Sequence, residues 1–331
     1  MGLGRKAYIV GINDYPNNQL EHCAYDASCM QELLMKHGNG DPNFHVLSET
    51  CATAQRLKNG IRQLFHCESN TIETALFYFS GHGNLDSMGG GCLLASDYEP
   101  NHENSVSMEE ILTYANQSQA INKIIILDCC YAGFMGSYAS SNLSQCNLVS
   151  GVTVLAACGL SERALEKNDI KHGLFTNLLL EGLRGGAADI RGKITPGSIY
   201  AYIDQALSPF EQRPVFKTNV NRFISLRDMP PHIDNATLRK LTEYFRAPGA
   251  AFSLDPSYEF TNNPNCKHIV KEPYTIPEHV EIFKHLQQFN CAGLLVPVDA
   301  EYMYFAAMEN KSCCLTPLGM HYWHMIQKKM I

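Results

Sequence analysis

The sequence predicts an α/β protein, a central, mostly parallel sheet flanked by helices, followed by a smaller α+β part. Three observations carry this. Short apolar runs alternate with amphipathic stretches over the first 228 residues. The runs are near-continuously apolar, as strands buried on both faces must be. The alternation then breaks at Asp228-Met229-Pro230-Pro231, where successive prolines remove amide donors and restrict the backbone. The expected division is 1–228 and 229–331, in keeping with roughly two domains for a chain of 331 residues.

In chain order, strands are expected at Ala7–Ile12, Phe44–Leu47, Ala75–Phe79, Ile124–Leu127 and Val152–Ala156, each a compact β-rich run. Helical patterns lie between and after them, at Ala24–Met35, Thr53–Phe65, Met108–Tyr114, Leu174–Leu183 and Ser198–Leu207. The third is announced by Ser107-x-x-Glu110, a capping-box signature. Phe223–Leu226 closes the first part. In the second part the pattern reads as helix at Pro277–Asn290, an apolar run at Leu294–Val298 and strand at Tyr302–Met308. Leu315-Thr316-Pro317-Leu318-Gly319 and a C-terminal helix follow.

Composition narrows the function classes. With 45% hydrophobic and 18% charged residues, either part can bury a core. The net charge of −7 falls mostly on residues 1–228, and neither part is the basic body that gathers phosphates, which argues against nucleic acid and suits a cationic ligand. No run reaches the roughly 18 to 20 apolar residues that span a bilayer, and Ala7–Ile12 is too short for a signal-peptide core. None of the thirteen cysteines lies in a CxxC, and Cys129-Cys130 and Cys313-Cys314 are adjacent pairs ill suited to disulfides or zinc. They read as reduced thiols in a cytoplasmic protein without a membrane partner or a metal.

Reactive groups on such sheets collect at the carboxyl ends of strands. Two strand exits carry chemistry. Phe77-Tyr78-Phe79-Ser80-Gly81-His82-Gly83 delivers a histidine between glycines, which permit tight turns and close backbone approach. Ile124-Ile125-Ile126-Leu127-Asp128-Cys129-Cys130 delivers an acid and two thiols. Each alone has a structural reading, a core histidine or a helix-capping aspartate with buried cysteines. Together they fit a Cys–His nucleophilic pair, because a thiol is only a few per cent thiolate at neutral pH until an imidazole assists it.

These motifs resemble the caspase-like cysteine peptidases (clan CD, peptidase C14), more narrowly the metacaspase and bacterial orthocaspase branch, over residues 5–228. Further pieces fall in the family's order: Ile9-Val10-Gly11-Ile12-Asn13, Leu20-Glu21-His22-Cys23-Ala24-Tyr25-Asp26-Ala27, Ala156-Ala157-Cys158-Gly159, His172-Gly173-Leu174-Phe175-Thr176 and Gln212-Arg213-Pro214. The resemblance implies a caspase-like sandwich and a cysteine endopeptidase. It places the nucleophile at Cys130, the acid–base histidine at His82 and the oxyanion hole at the backbone N–H groups of Gly83 and Cys130. It also implies that Asp26, Asp128, Cys23 and Ser80 line the S1 pocket. Two carboxylates there favour a protein substrate with Arg or Lys at P1. An arginine clamp for an acidic side chain has no candidate, since no Lys or Arg stands between Lys6 and Lys36.

Calcium-dependent members carry dense aspartate clusters after the histidine motif and an acid beyond the cysteine. Here Asp86, Asp97, Glu99, Glu103, Glu109 and Glu110 are scattered, and residues 131–149 hold no carboxylate, so no calcium or other cofactor is expected. Self-cleavage sites would be Arg163, Lys167 and Lys171, or Arg184 and Arg191, in loops at 162–172 and 184–193. The ending of the second part resembles, loosely, a winged helix. At a net charge of −1, residues 229–331 fit a regulatory protein partner better than DNA. His279, His285, His321 and His324 there read as packing or surface residues. The resemblance further implies a role in programmed cell death or antiviral defence. The competing classes are a catalytically silent caspase-like scaffold and a winged-helix regulator.

Overall fold

In the computed structural model the first elements are β1 (Gly4–Gly11), α1 (Cys23–Met35), β2 (His45–Glu49), α2 (Ala54–Phe65) and β3 (Ile72–Ser80). The chain continues through β4 (Gly83–Leu85), β5 (Gly91–Leu94), β6 (Ser105–Ser107), α3 (Met108–Gln117), β7 (Asn122–Asp128) and β8 (Val152–Ala156). It ends its first compact unit with α4 (Leu174–Glu181), β9 (Lys193–Ile194), α5 (Pro196–Ala206), β10 (Val215–Asn219) and β11 (Arg227–Asp228). The structure describes residues 4–16, 18–66, 72–87, 89–99, 104–135, 148–158, 172–207, 213–221, 224–265 and 270–331. Arg163, Lys167 and Lys171 lie outside the described residues, as do Glu103, Gly159, Gln212 and Phe223.

Six strands form one sheet in the order β10-β8-β7-β3-β1-β2, all parallel except the edge pair β10–β8. Both faces of the sheet are covered, which is why its strands read as unbroken apolar runs. Tyr8, Val10, Phe77, Phe79, Ile125 and Leu127 point into one core with Leu57, Ile61 and Ile111 from α2 and α3. Ala7, Ile9, Leu76, Tyr78, Ile124 and Ile126 point into the other with Met30, Leu34, Leu179, Ile199 and Ile203 from α1, α4 and α5. The period of two along each strand divides one run between two cores.

Three features of this first unit differ from the expectation. A small antiparallel meander, β4-β5-β6, leaves the end of β3, and its short strands carry too little periodicity to stand out. At the start of α3, Ser107 Oγ accepts from the Glu109 N–H, while Glu110 turns away to Tyr114 and Lys58. Arg184 lies in the turn Gly182–Gly186 that continues α4, just before a kink at Gly185 (φ 132°).

The second compact unit spans Pro231–Ile331. It contains α6 (Asn235–Arg239), α7 (Leu241–Tyr244), β12 (Ala251–Ser253), α8 (Pro277–Cys291), β13 (Leu295–Val298), α9 (Met303–Met308), β14 (Ser312–Leu315) and α10 (Pro317–Gln327). Its antiparallel sheet runs β12-β14-β13. The strand expected at Tyr302–Met308 is instead helix α9. Met303, Ala306 and Ala307 are buried at helical spacing, while Tyr304 and Phe305 are exposed. His279 lies 2.6 Å from Ser257 Oγ and His285 2.8 Å from the Tyr244 hydroxyl. Among the described residues no helix is long and apolar enough to cross a membrane, and none of the ten cysteines forms a disulfide.

Candidate active site

From β1 the chain steps to β2 at one edge, then returns to β3 on the other side of β1. Such a reversal leaves a crevice at the carboxyl ends of the diverging strands. A cleft of about 590 Å³ opens there. All seven residues predicted from sequence line it: His82, Gly83, Cys130, Asp26, Asp128, Cys23 and Ser80. They arrive from separate elements, β3 and its exit, β7 and its exit, and the first turn of α1.

His82 follows β3, between glycines that the packing requires. A Cβ on Gly81 would lie 2.5 Å from the Tyr15 hydroxyl, and one on Gly83 2.1 Å from the Cys130 carbonyl oxygen. The Tyr15 hydroxyl accepts the His82 N–H at 3.0 Å and donates to the Leu94 carbonyl at 3.3 Å, and the two rings lie 4.6 Å apart. Burial pushes the Tyr15 phenol well above its ordinary value, so it stays protonated and able to donate. His82 Nε2 is 2.8 Å from the Asn18 carbonyl. A carbonyl only accepts, so Nε2 carries the hydrogen and the neutral ring keeps its lone pair at Nδ1. Sequence reasoning missed both Tyr15 and Asn18. Their signal is only position, in the loop after β1.

The two cysteines at the exit of β7 have different environments. Cys129 is 1% exposed, packed in the core, and burial pushes its thiol well above the ordinary value. Cys130 is half-buried and faces the cleft. Behind it Tyr131 adopts φ 58°, an uncommon left-handed conformation for a non-glycine residue, which turns the chain into the short helical turn Ala132–Phe134. Lys217 of β10 fixes that turn by donating to the carbonyls of Gly133 (3.0 Å) and Met135 (2.9 Å). Cys158 donates to the Cys129 carbonyl at 3.1 Å, and burial pushes its thiol up to about 11.

Ser80 and Asp128 sit side by side across the β3–β7 ladder. Ser80 donates to Asp26 Oδ2 at 3.3 Å. Asp128 Oδ2 accepts from Thr176 at 2.7 Å, and Thr176 in turn accepts from the buried Tyr78 hydroxyl at 2.8 Å. Asp26, 1% exposed, places Oδ1 at 2.5 Å from His172 Nδ1. Burial and the charge of Arg184 push His172 below its ordinary value, while the Asp26 carboxylate pulls the other way. Thr176 and His172 belong to the His172–Thr176 segment, which the sequence tied to a family without showing that it holds both acids.

The arrangement can therefore present a thiol, a base nitrogen and two carboxylates to one ligand. Among the described residues lining the cleft none is Lys or Arg. The caspase domain family matches residues 4–224. A solved structure of caspase-1 from Spodoptera frugiperda is similar at a TM-score of 0.51 and 14% identity, covering 70% of this chain and 92% of that one. No curated protein matches the chain.

Proposed function

The chain belongs to the caspase domain family, whose members are cysteine peptidases, and on that premise we propose that it cleaves proteins after Arg or Lys with Cys130 as nucleophile and His82 as acid and base. The observation that carries the basic specificity is the pair of buried carboxylates, Asp26 and Asp128, in a cleft whose described lining holds no Lys or Arg. A guanidinium or ammonium entering there meets opposite charge at low dielectric, whereas an acidic side chain would meet its own sign. This charge pattern supports a reading on the metacaspase and orthocaspase side of the family.

The half-buried Cys130, rather than the core-packed Cys129, is positioned to attack the scissile carbonyl carbon. His82 Nδ1 takes the thiol proton and returns it to the leaving amine, and water then hydrolyses the thioester. The backbone N–H groups of Gly83 and Cys130 would stabilise the tetrahedral oxyanion. No calcium is required in this scheme, so turnover in excess chelator is expected to equal turnover in millimolar calcium. Residues 229–331 serve as the regulatory or interaction module, winged-helix-like at the end. Action in the cytoplasm, in cell death or defence, rests on family resemblance.

A P1-scanned peptide library tests the specificity, with wild type, Cys130→Ala and Asp26→Ala side by side. Cleavage after Arg and Lys, lost in both variants while their melting curves still show a folded protein, is the expected result. Turnover of an Arg peptide by Asp26→Ala at the wild-type rate would remove the pocket assignment. Arg184 and Arg191 supply a smaller check on self-cleavage. The first lies in the turn that continues α4, and the second donates its N–H to Asp189 Oδ1 at 2.9 Å, so neither is expected to be cut.

A further inference from the structure

We propose that His172 is a positioning residue that sets the charge of Asp26 and so makes recognition of the basic P1 side chain depend on pH. This rests on the basic-P1 reading above. His172 does not line the cleft, but Asp26 and the neighbouring Gly173 do. The imidazole therefore acts through the carboxylate rather than on the substrate.

The geometry specifies how. A carboxylate oxygen only accepts, so at 2.5 Å from Oδ1 the hydrogen is on His172 Nδ1. Ser80 holds the other oxygen, so the plane of the carboxylate is fixed by donors from two elements. The His172 side chain is 11% exposed and stacks on Tyr25, one residue before Asp26 on α1, with ring centroids 4.9 Å apart. Its ring cannot swing away from the acid without breaking that stack.

Neutral His172 leaves Asp26 its full negative charge. Protonation at Nε2 puts a positive charge against the carboxylate and cancels most of the field that draws a P1 cation. The surrounding charges do not offset the change. Arg184 adds to the positive side. Tyr25, whose neighbours Cys29 and Glu32 push its phenol above the ordinary value, stays neutral. Asp128 remains in the cleft, held by Thr176, so binding is weakened rather than lost. By linkage, a bound P1 cation disfavours protonation of His172 to the same degree. Neither His82 nor Cys130 is hydrogen-bonded to this pair among the described contacts, so the effect falls on KM rather than kcat.

The test is kcat and KM for an Arg-P1 fluorogenic peptide between about pH 5 and 8, the range in which histidine titrates, for wild type, His172→Asn and His172→Ala. Asn keeps an N–H donor near the place of Nδ1 and cannot take up a second proton. Wild-type KM is expected to rise severalfold at the acid end of this range, toward the ceiling of about tenfold that a coupling of one pKa unit sets. That rise should be absent in His172→Asn, and His172→Ala should have a raised KM throughout. An equal acid-side rise in KM in wild type and His172→Asn overturns the proposal and leaves the basic specificity standing. If the wild type cuts the P1 library after other residues and not after Arg or Lys, both fall together.

Discussion

Tyr15 and Asn18 hold His82 from two sides, and the consequences of losing either hold are separable. Tyr15→Phe keeps the buried ring but leaves the His82 N–H and the Leu94 carbonyl without their hydroxyl partner. A buried polar group left unsatisfied costs about 1–3 kcal/mol, so the variant should melt lower and lose turnover together, measured by calorimetry and kcat. Asp128→Asn keeps the shape and removes the charge. It should reduce kcat/KM for an Arg peptide by roughly 10- to 100-fold, the worth of a charged hydrogen bond, with little effect on a P1-neutral peptide. At this scale the sequence supplied the candidate residues that the cleft brings together, because their chemistry is carried by residue type: a thiol, an imidazole and acids at strand exits. It did not supply Tyr15, Asn18, Thr176 or His172, because what matters in those residues is the partner each one reaches, and the partners are 67, 64, 48 and 146 positions away.

Among the elements, β10 does more than close the sheet edge. Its Lys217 holds the turn that presents Cys130, through two carbonyls. Lys217→Met should preserve the fold, since β10 pairs with β8 through its backbone, but lower kcat more than it changes KM, as steady-state kinetics would show. Ser107→Ala at the start of α3 gives a contrast. It removes a helix cap worth about 1 kcal/mol and should lower the melting temperature without changing the kinetics. The strands of the large sheet were readable because burial on both faces leaves a continuous apolar signal. The meander β4-β5-β6 was not, with strands of three to four residues. Helix α9 stands where the run predicted a strand, because a six-residue helix is too short to show its helical burial spacing in the sequence.

Over the whole molecule, a net charge of −7 and a cleft bearing two acids act in the same direction on a cationic substrate. Raising ionic strength from roughly 0.05 to 0.3 M should lower kcat/KM for a basic peptide by about threefold or more, as screening shortens the reach of the field. A neutral peptide should show little change, and equal salt dependence for both would remove the steering argument. The two compact units divide at Pro230, where consecutive prolines follow β11. The second unit has its own core, with Leu238, Phe245, Phe283, Leu286 and Phe289 fully or nearly fully buried.

By itself the sequence determined the class of fold, the order of the main strands and helices, and the residue types proposed to do the chemistry. Those are properties of local composition and period, since a strand covered on both faces must be apolar throughout and a nucleophile must be a nucleophilic residue. Only the tertiary structure decided which thiol faces the cleft, which hydrogen His82 carries and what holds each carboxylate. Cys129 and Cys130 are equivalent in composition, and a turn through Tyr131 buries one and presents the other. Asp26 and His172 are far apart along the chain, and only the packing of α1 beside the start of α4 makes them a pair.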